Sequence, residues 1–151
     1  MKTQKIAIKT ASVLWAIWGI FHLLMGVMLV LFVQSEHPTG QLSHLPEAFN
    51  IEMMGMESPF AVPGTFKQHA FNLAWIGLIV TIASIYVWKY RRIALFTCIL
   101  IGGFADLGYF LFIDMAGFAQ SPGPEMTYIM ALAIVLGLYA YLKSDKFEAL
   151  K

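Results

Sequence analysis

The sequence predicts an all-α integral membrane protein: a four-helix bundle with both termini on the cytoplasmic side. Three observations lead there. The 151 residues are 59% hydrophobic and only 13% charged, with a mean hydropathy of +0.70, where soluble domains carry about 25% charged residues. Four apolar stretches approach the roughly 20 residues that a helix needs to cross a hydrocarbon core. Nine of the ten Lys and Arg residues then fall on one side of a four-span chain, which is the positive-inside pattern.

The first span, residues 12–33, reads "SVLWAIWGIFHLLMGVMLVLFV". Lys2, Lys5 and Lys9 precede it, as the basic segment of a signal peptide would. Its apolar run exceeds the roughly 7–15 residues of a signal core and leads into "VQSEHP" without a small-residue cleavage site, so it reads as a retained span. The second and third spans, 70–88 and 93–113, are joined by "KYRR", a connection short enough to force an antiparallel hairpin. "AQSPGPE" separates the third span from the fourth, 126–142; its prolines stop helix continuation. Trp88, Tyr86, Tyr90, Tyr139 and Tyr141 gather toward the basic side, as an interfacial aromatic belt does. All of this is one transmembrane domain of 151 residues.

A long external loop, residues 34–69, links spans one and two. Pro38, Pro46, Pro59 and Pro63 divide it, and "EAFNIEMMGM" is patterned as a short amphipathic helix lying on the bundle. A connection of this length is uncommon and is often functional, as a lid or binding loop; the plainer reading is a cap that closes the bundle. The net charge of +1 gives no sign of a nucleic-acid partner. Cys98 is alone, so no intramolecular disulfide or zinc framework is available; it reads as a small apolar residue.

The candidate site rests on polar residues inside the spans: His22, Asn72 and Asp106. An Asp at the centre of a spanning helix costs about 2.5–3.5 kcal/mol on insertion scales, so such a residue turns inward and finds a partner. Membrane hydrogen bonds average about 0.6 kcal/mol. Interhelical adhesion alone therefore accounts poorly for an Asp where Ser or Thr would serve. Counting helical rise from the cytoplasmic end, His22 lies about 15 Å up, Asp106 about 20 Å, Asn72 about 25 Å near Tyr109, and His69 about 30 Å. His22 and Asp106 are the predicted catalytic or proton-handling pair, within hydrogen-bonding range or bridged by one atom. Trp15, Trp18, Gly19, His22, Met25 and Gly26 share one stripe of span one. Small residues beside the pair permit close helix approach or leave room for a ligand. Asn72, Tyr109, His69, Trp18 and Trp75 are the predicted ligand-binding residues, opening outward beneath the long loop with Phe71 as a further wall. Span four, with Ala133, Gly137 and Ala140, reads as a packing helix.

Two histidines and a carboxylate suit non-haem iron, but the counted separation of His22 and His69 keeps one ion from joining them, so no metal is assigned to the buried cluster. Outside, His37, His44, His69, Met53, Met54 and Met56 offer imidazole and thioether groups of the kind Cu(I) favours. The "MMGM" run equally reads as an apolar patch.

The stretch "LWAIWGIFHLLMG" and the four-span plan resemble the DoxX-like families and other small bacterial four-helix membrane proteins. Some DoxX-like members are associated with quinone-linked oxidation, so the resemblance implies a quinone as ligand; it transfers no catalytic residue to this chain. The expectation is a multi-pass protein of the bacterial inner membrane whose polar pocket opens outward and binds a small lipophilic ligand, quinone- or lipid-like, with proton-transfer chemistry if it is an enzyme. The alternatives are a non-catalytic accessory subunit of a larger membrane complex and an oligomeric transporter. The second is weakened by the lack of broken helices inside the spans.

Overall fold

The computed structural model describes residues 2–32, 61–119, 121–144 and 147. Its elements are helical: α1 (Lys2–Phe32), α2 (Ala61–Trp88), α3 (Arg92–Thr97), a π-helical turn (Cys98–Gly102), α4 (Gly103–Tyr109), a second π-helical turn (Phe110–Asp114) and α5 (Gly123–Lys143). From α3 to the second π turn the chain forms one continuous rod. Four helices are therefore long and apolar enough to cross a membrane. Large apolar side chains cover their outer faces, among them Leu31, Phe71, Phe104, Phe112 and Leu142. That is the arrangement expected of a bundle whose solvent is lipid rather than water.

Each helix begins before its predicted span. The main difference is in α2, which begins at Ala61 rather than at residue 70, so residues 61–69 are helix and not loop. Pro63 had counted as a loop divider. It sits in the first turn of α2, where a helix has no intrahelical use for the missing N–H. The predicted amphipathic helix in "EAFNIEMMGM", residues 37 and 44, and the methionines at 53, 54 and 56 lie outside the described residues.

Helices α1 and α2 pack through small residues. A Cβ on Gly19 would lie 2.8 Å from the Thr81 backbone nitrogen, and one on Gly77 2.9 Å from the His22 carbonyl carbon. A Cβ on Gly26 would strike the backbone at Ala70 and Ala74. These glycines are therefore spent on bringing two backbones together, not on leaving room for a ligand. Ser12 Oγ adds a 2.7 Å bond to the Ser84 carbonyl across the same seam. At the end where α1 begins and α5 finishes, Lys9 Nζ donates to the Trp88 carbonyl at 2.7 Å and lies 3.7 Å from the centroid of the Trp88 ring. Gln4 Nε2 donates to the Lys143 carbonyl at 2.8 Å, tying the last turn of α5 to α1.

The α2–α3 connection is a Schellman-type stop. The Arg91 N–H donates to the Tyr86 carbonyl at 3.0 Å and the Tyr90 N–H to that of Val87 at 2.9 Å. Tyr90 holds the left-handed position with φ of 61°, where glycine is usual. In return its ring packs edge-on against Phe147. α5 lays Ala133, Gly137 and Ala140 into the interior, and a Cβ on Gly137 would meet Leu95 of α3 and Ala11 of α1. It packs as its small-residue spacing suggested. Cys98 is fully buried.

Candidate functional site

Asp106 lies at the middle of the rod's short α4 segment, bracketed by the two π turns, and is buried at 3% exposure. Such turns widen the helix by one residue and recur at functional positions. Gly102, at the end of the first, leaves space for the Trp15 ring, which a Cβ there would strike at 2.8 Å.

The direct partner of Asp106 is Trp18. Its indole Nε1 donates to Asp106 Oδ2 at 2.8 Å inside the bundle. Trp18, expected among the ligand-binding residues, is fully buried and holds the carboxyl group. The signal was available in the sequence. A buried indole N–H calls for an acceptor, and Asp106 is the only carboxylate within the four predicted spans; the fold decides which indole takes it, since Trp15, equally buried, leaves its Nε1 without a partner.

His22 completes the group. Its ring stacks on the Trp18 indole, 3.7 Å between centroids and 22° between planes. Its Nδ1 lies 2.8 Å from the Trp18 carbonyl oxygen, one turn back along α1. A carbonyl can only accept, so Nδ1 carries hydrogen. Nε2, 3.7 Å from Asp106 Oδ1, is then the atom that gains or loses a proton. The predicted direct hydrogen bond is not made, because 3.7 Å exceeds bonding length. An oxygen placed beside the gap, about 2.8 Å from each atom, would reach both.

This geometry governs one proton. With Nδ1 already protonated, a neutral His22 presents a bare lone pair to Oδ1, and an ionised Asp106 presents another. Two acceptors facing each other repel, so the stable states hold one proton between them: on Oδ1, giving a neutral acid and a neutral imidazole, or on Nε2, giving an imidazolium–carboxylate pair. Both states have zero net charge. An Asp in the middle of the bundle thereby avoids the cost of a lone buried ion.

The heights counted from sequence need one correction. The Ser12–Ser84 bond places Ser12 four residues above the Trp88 end of α2, about 6 Å by helical rise. His22 therefore stands about 21 Å up, level with Asp106 instead of a turn below it. Helix α1 begins ten residues before the predicted span, so residue 12 was the wrong zero. The same register brings His69 closer. Gly26 packs between Ala70 and Ala74, leaving His69 about seven residues of rise from His22, about 10 Å and not 15 Å. His69 is exposed in the first third of α2.

The remaining predicted residues separate. Asn72 Oδ1 accepts from Trp75 Nε1 at 3.0 Å, a pair on the exposed side of α2. Trp75 is 38% and Phe71 64% exposed, so both belong to the outer surface more than to an interior wall. The Tyr109 hydroxyl lies against Gly123 in the first turn of α5, where a Cβ would overlap it. The structure thus brings together Trp18, His22 and Asp106, and sets Asn72 with Trp75 and Tyr109 with α5. Among the described residues no three His, Cys, Asp or Glu side chains group as a metal site. Compared with known protein families, curated proteins and solved structures, the chain matches none.

Proposed function

We propose that this is a multi-pass membrane protein that binds the polar head of a small lipophilic molecule at Asp106 and His22 and exchanges one proton with it. The observation that carries this reading is the 3.7 Å separation of His22 Nε2 from Asp106 Oδ1, with Nδ1 committed to the Trp18 carbonyl and Oδ2 to the Trp18 indole. Every other polar atom of the pair is occupied, so the two facing atoms are the ones left to bind a guest. A hydroxyl oxygen beside them accepts from the protonated atom and donates to the bare one, whereas a carbonyl oxygen accepts the single proton-borne hydrogen bond. The proton leaves Oδ1 or Nε2 for the guest and returns by the same path, and Trp18 holds the carboxylate meanwhile.

The apolar surroundings favour a ligand with a ring or chain to place among aliphatic and aromatic groups, quinone-like or lipid-like. The resemblance of the chain's plan to DoxX-like proteins supports the quinone. Cytoplasmic termini, which the Lys/Arg distribution supports, placement in a bacterial inner membrane and an external opening near His69 belong to this same proposal.

The test is gentle purification in native lipid followed by mass spectrometry. The wild-type protein should carry a lipophilic molecule that Asp106→Asn loses while remaining folded. Wild-type protein that carries none, but holds a protein partner in fixed ratio, would replace this reading with that of an accessory subunit.

A further inference from the structure

The fourth helix was read from sequence as packing alone, yet it places a polar group at the height of the candidate pair. Thr127 is 8% exposed, and its Oγ1 is buried without a hydrogen-bond partner. A threonine inside a helix ordinarily bonds back to the carbonyl four residues earlier. Thr81 does so with Gly77 at 2.7 Å; Thr127 does not. Its residue shares the inward stripe of α5 with Met130, Ala133, Gly137 and Ala140.

Three contacts fix its height. Gly137 faces Leu95 on α3 and Ala11 on α1. Moving ten residues along α5, from 137 to 127, corresponds on these antiparallel neighbours to Ala105 and Phe21. Independently, Gly123 faces Tyr109, and four residues inward from each gives Thr127 opposite Ala105. Every route ends one residue from Asp106 or His22.

We infer that Thr127 is the fourth member of the polar layer, and that its hydroxyl and the Oδ1–Nε2 gap together seat one oxygen of the bound head group. This inference rests on the proposed function and deepens it. A hydroxyl both donates and accepts, so Thr127 can pair with a carbonyl or a hydroxyl oxygen and favours such a guest over a purely apolar group. The buried hydroxyl, costly where it stands alone, is satisfied when that oxygen arrives.

The experiment uses full-length protein in lipid nanodiscs with duroquinone as probe. Binding is read by tryptophan quenching, with Asp106→Asn setting the background from partition into lipid. Infrared difference spectra follow the probe's carbonyl stretch. Thr127→Val, of nearly the same shape, should raise the Kd about fivefold, the loss expected of one hydrogen bond. It should also shift the bound carbonyl stretch to higher frequency. Thr127→Ser should restore both, which a purely structural role would not require. If Asp106→Asn removes saturable binding while Thr127→Val leaves affinity and stretch at wild-type values, the inference fails and the proposed function stands. If wild type shows no saturable binding beyond Asp106→Asn, both fall.

Discussion

The Trp18 indole N–H donates to Asp106 Oδ2 at 2.8 Å, joining the middle of α1 to the middle of the π-bracketed rod. Two residues eighty-eight positions apart thereby solve each other's difficulty: an indole N–H buried without water, and a carboxyl group in an apolar bundle. Trp18→Phe keeps the ring and removes the donor. Leaving a buried acceptor unpaired costs about 1–3 kcal/mol, so the thermal midpoint in detergent should fall clearly. An unchanged midpoint would show that this bond does not support the bundle.

Asp106→Asn should behave differently. Its amide oxygen still accepts from Trp18, and its NH2 is oriented to donate to the bare Nε2 of His22. Stability should stay within about 1 kcal/mol of wild type, the scale of a net hydrogen bond, while proton exchange ends. Asp106→Leu removes the insertion cost but orphans the Trp18 N–H. Comparing membrane insertion and melting of the two variants separates the terms: Leu should insert at least as well as wild type and melt lower than Asn. A Leu variant that melts above Asn would contradict the role given to Trp18.

His22→Phe tests the imidazole without disturbing the stack on Trp18, since a ring remains 3.7 Å from the indole centroid. The bundle should fold, and ligand-linked proton uptake, measured with a pH indicator in weakly buffered solution, should vanish. Uptake of wild-type size would move the proton-handling role elsewhere.

The glycines make opposite predictions by position. Gly26→Ala drives a methyl into the α2 backbone at Ala70 and Ala74, where neither side can yield cheaply. It should lower stability by about 1–3 kcal/mol. Gly108→Ala adds a methyl that meets nothing within 4 Å on a helix, and should raise stability by about 0.5–1 kcal/mol. Parallel thermal melts check both signs.

Topology is tested with reporters. One fused after Lys151 should be active only on the cytoplasmic side, and one inserted after Gly117 only outside. Signals on the same side would overturn the four-span arrangement.

The sequence by itself determined the number of helices, their approximate places and the residues worth suspecting. Apolar length, proline position and Lys/Arg placement are local properties, and a lipid solvent leaves the backbone few alternatives to helix. His22, Asp106 and Trp18 were all legible as members of the site. Only the tertiary structure decided their relations: that Trp18 bonds Asp106, that His22 stands level with it, that Asn72 turns toward Trp75, and that Thr127 is buried on the inward stripe of α5. Height and facing depend on how one helix is offset against another. That offset is set by Gly19, Gly26 and Gly77 in the α1–α2 seam and by the π turns around Asp106. Apolar periodicity within one helix carries no record of it, because an offset belongs to two helices at once.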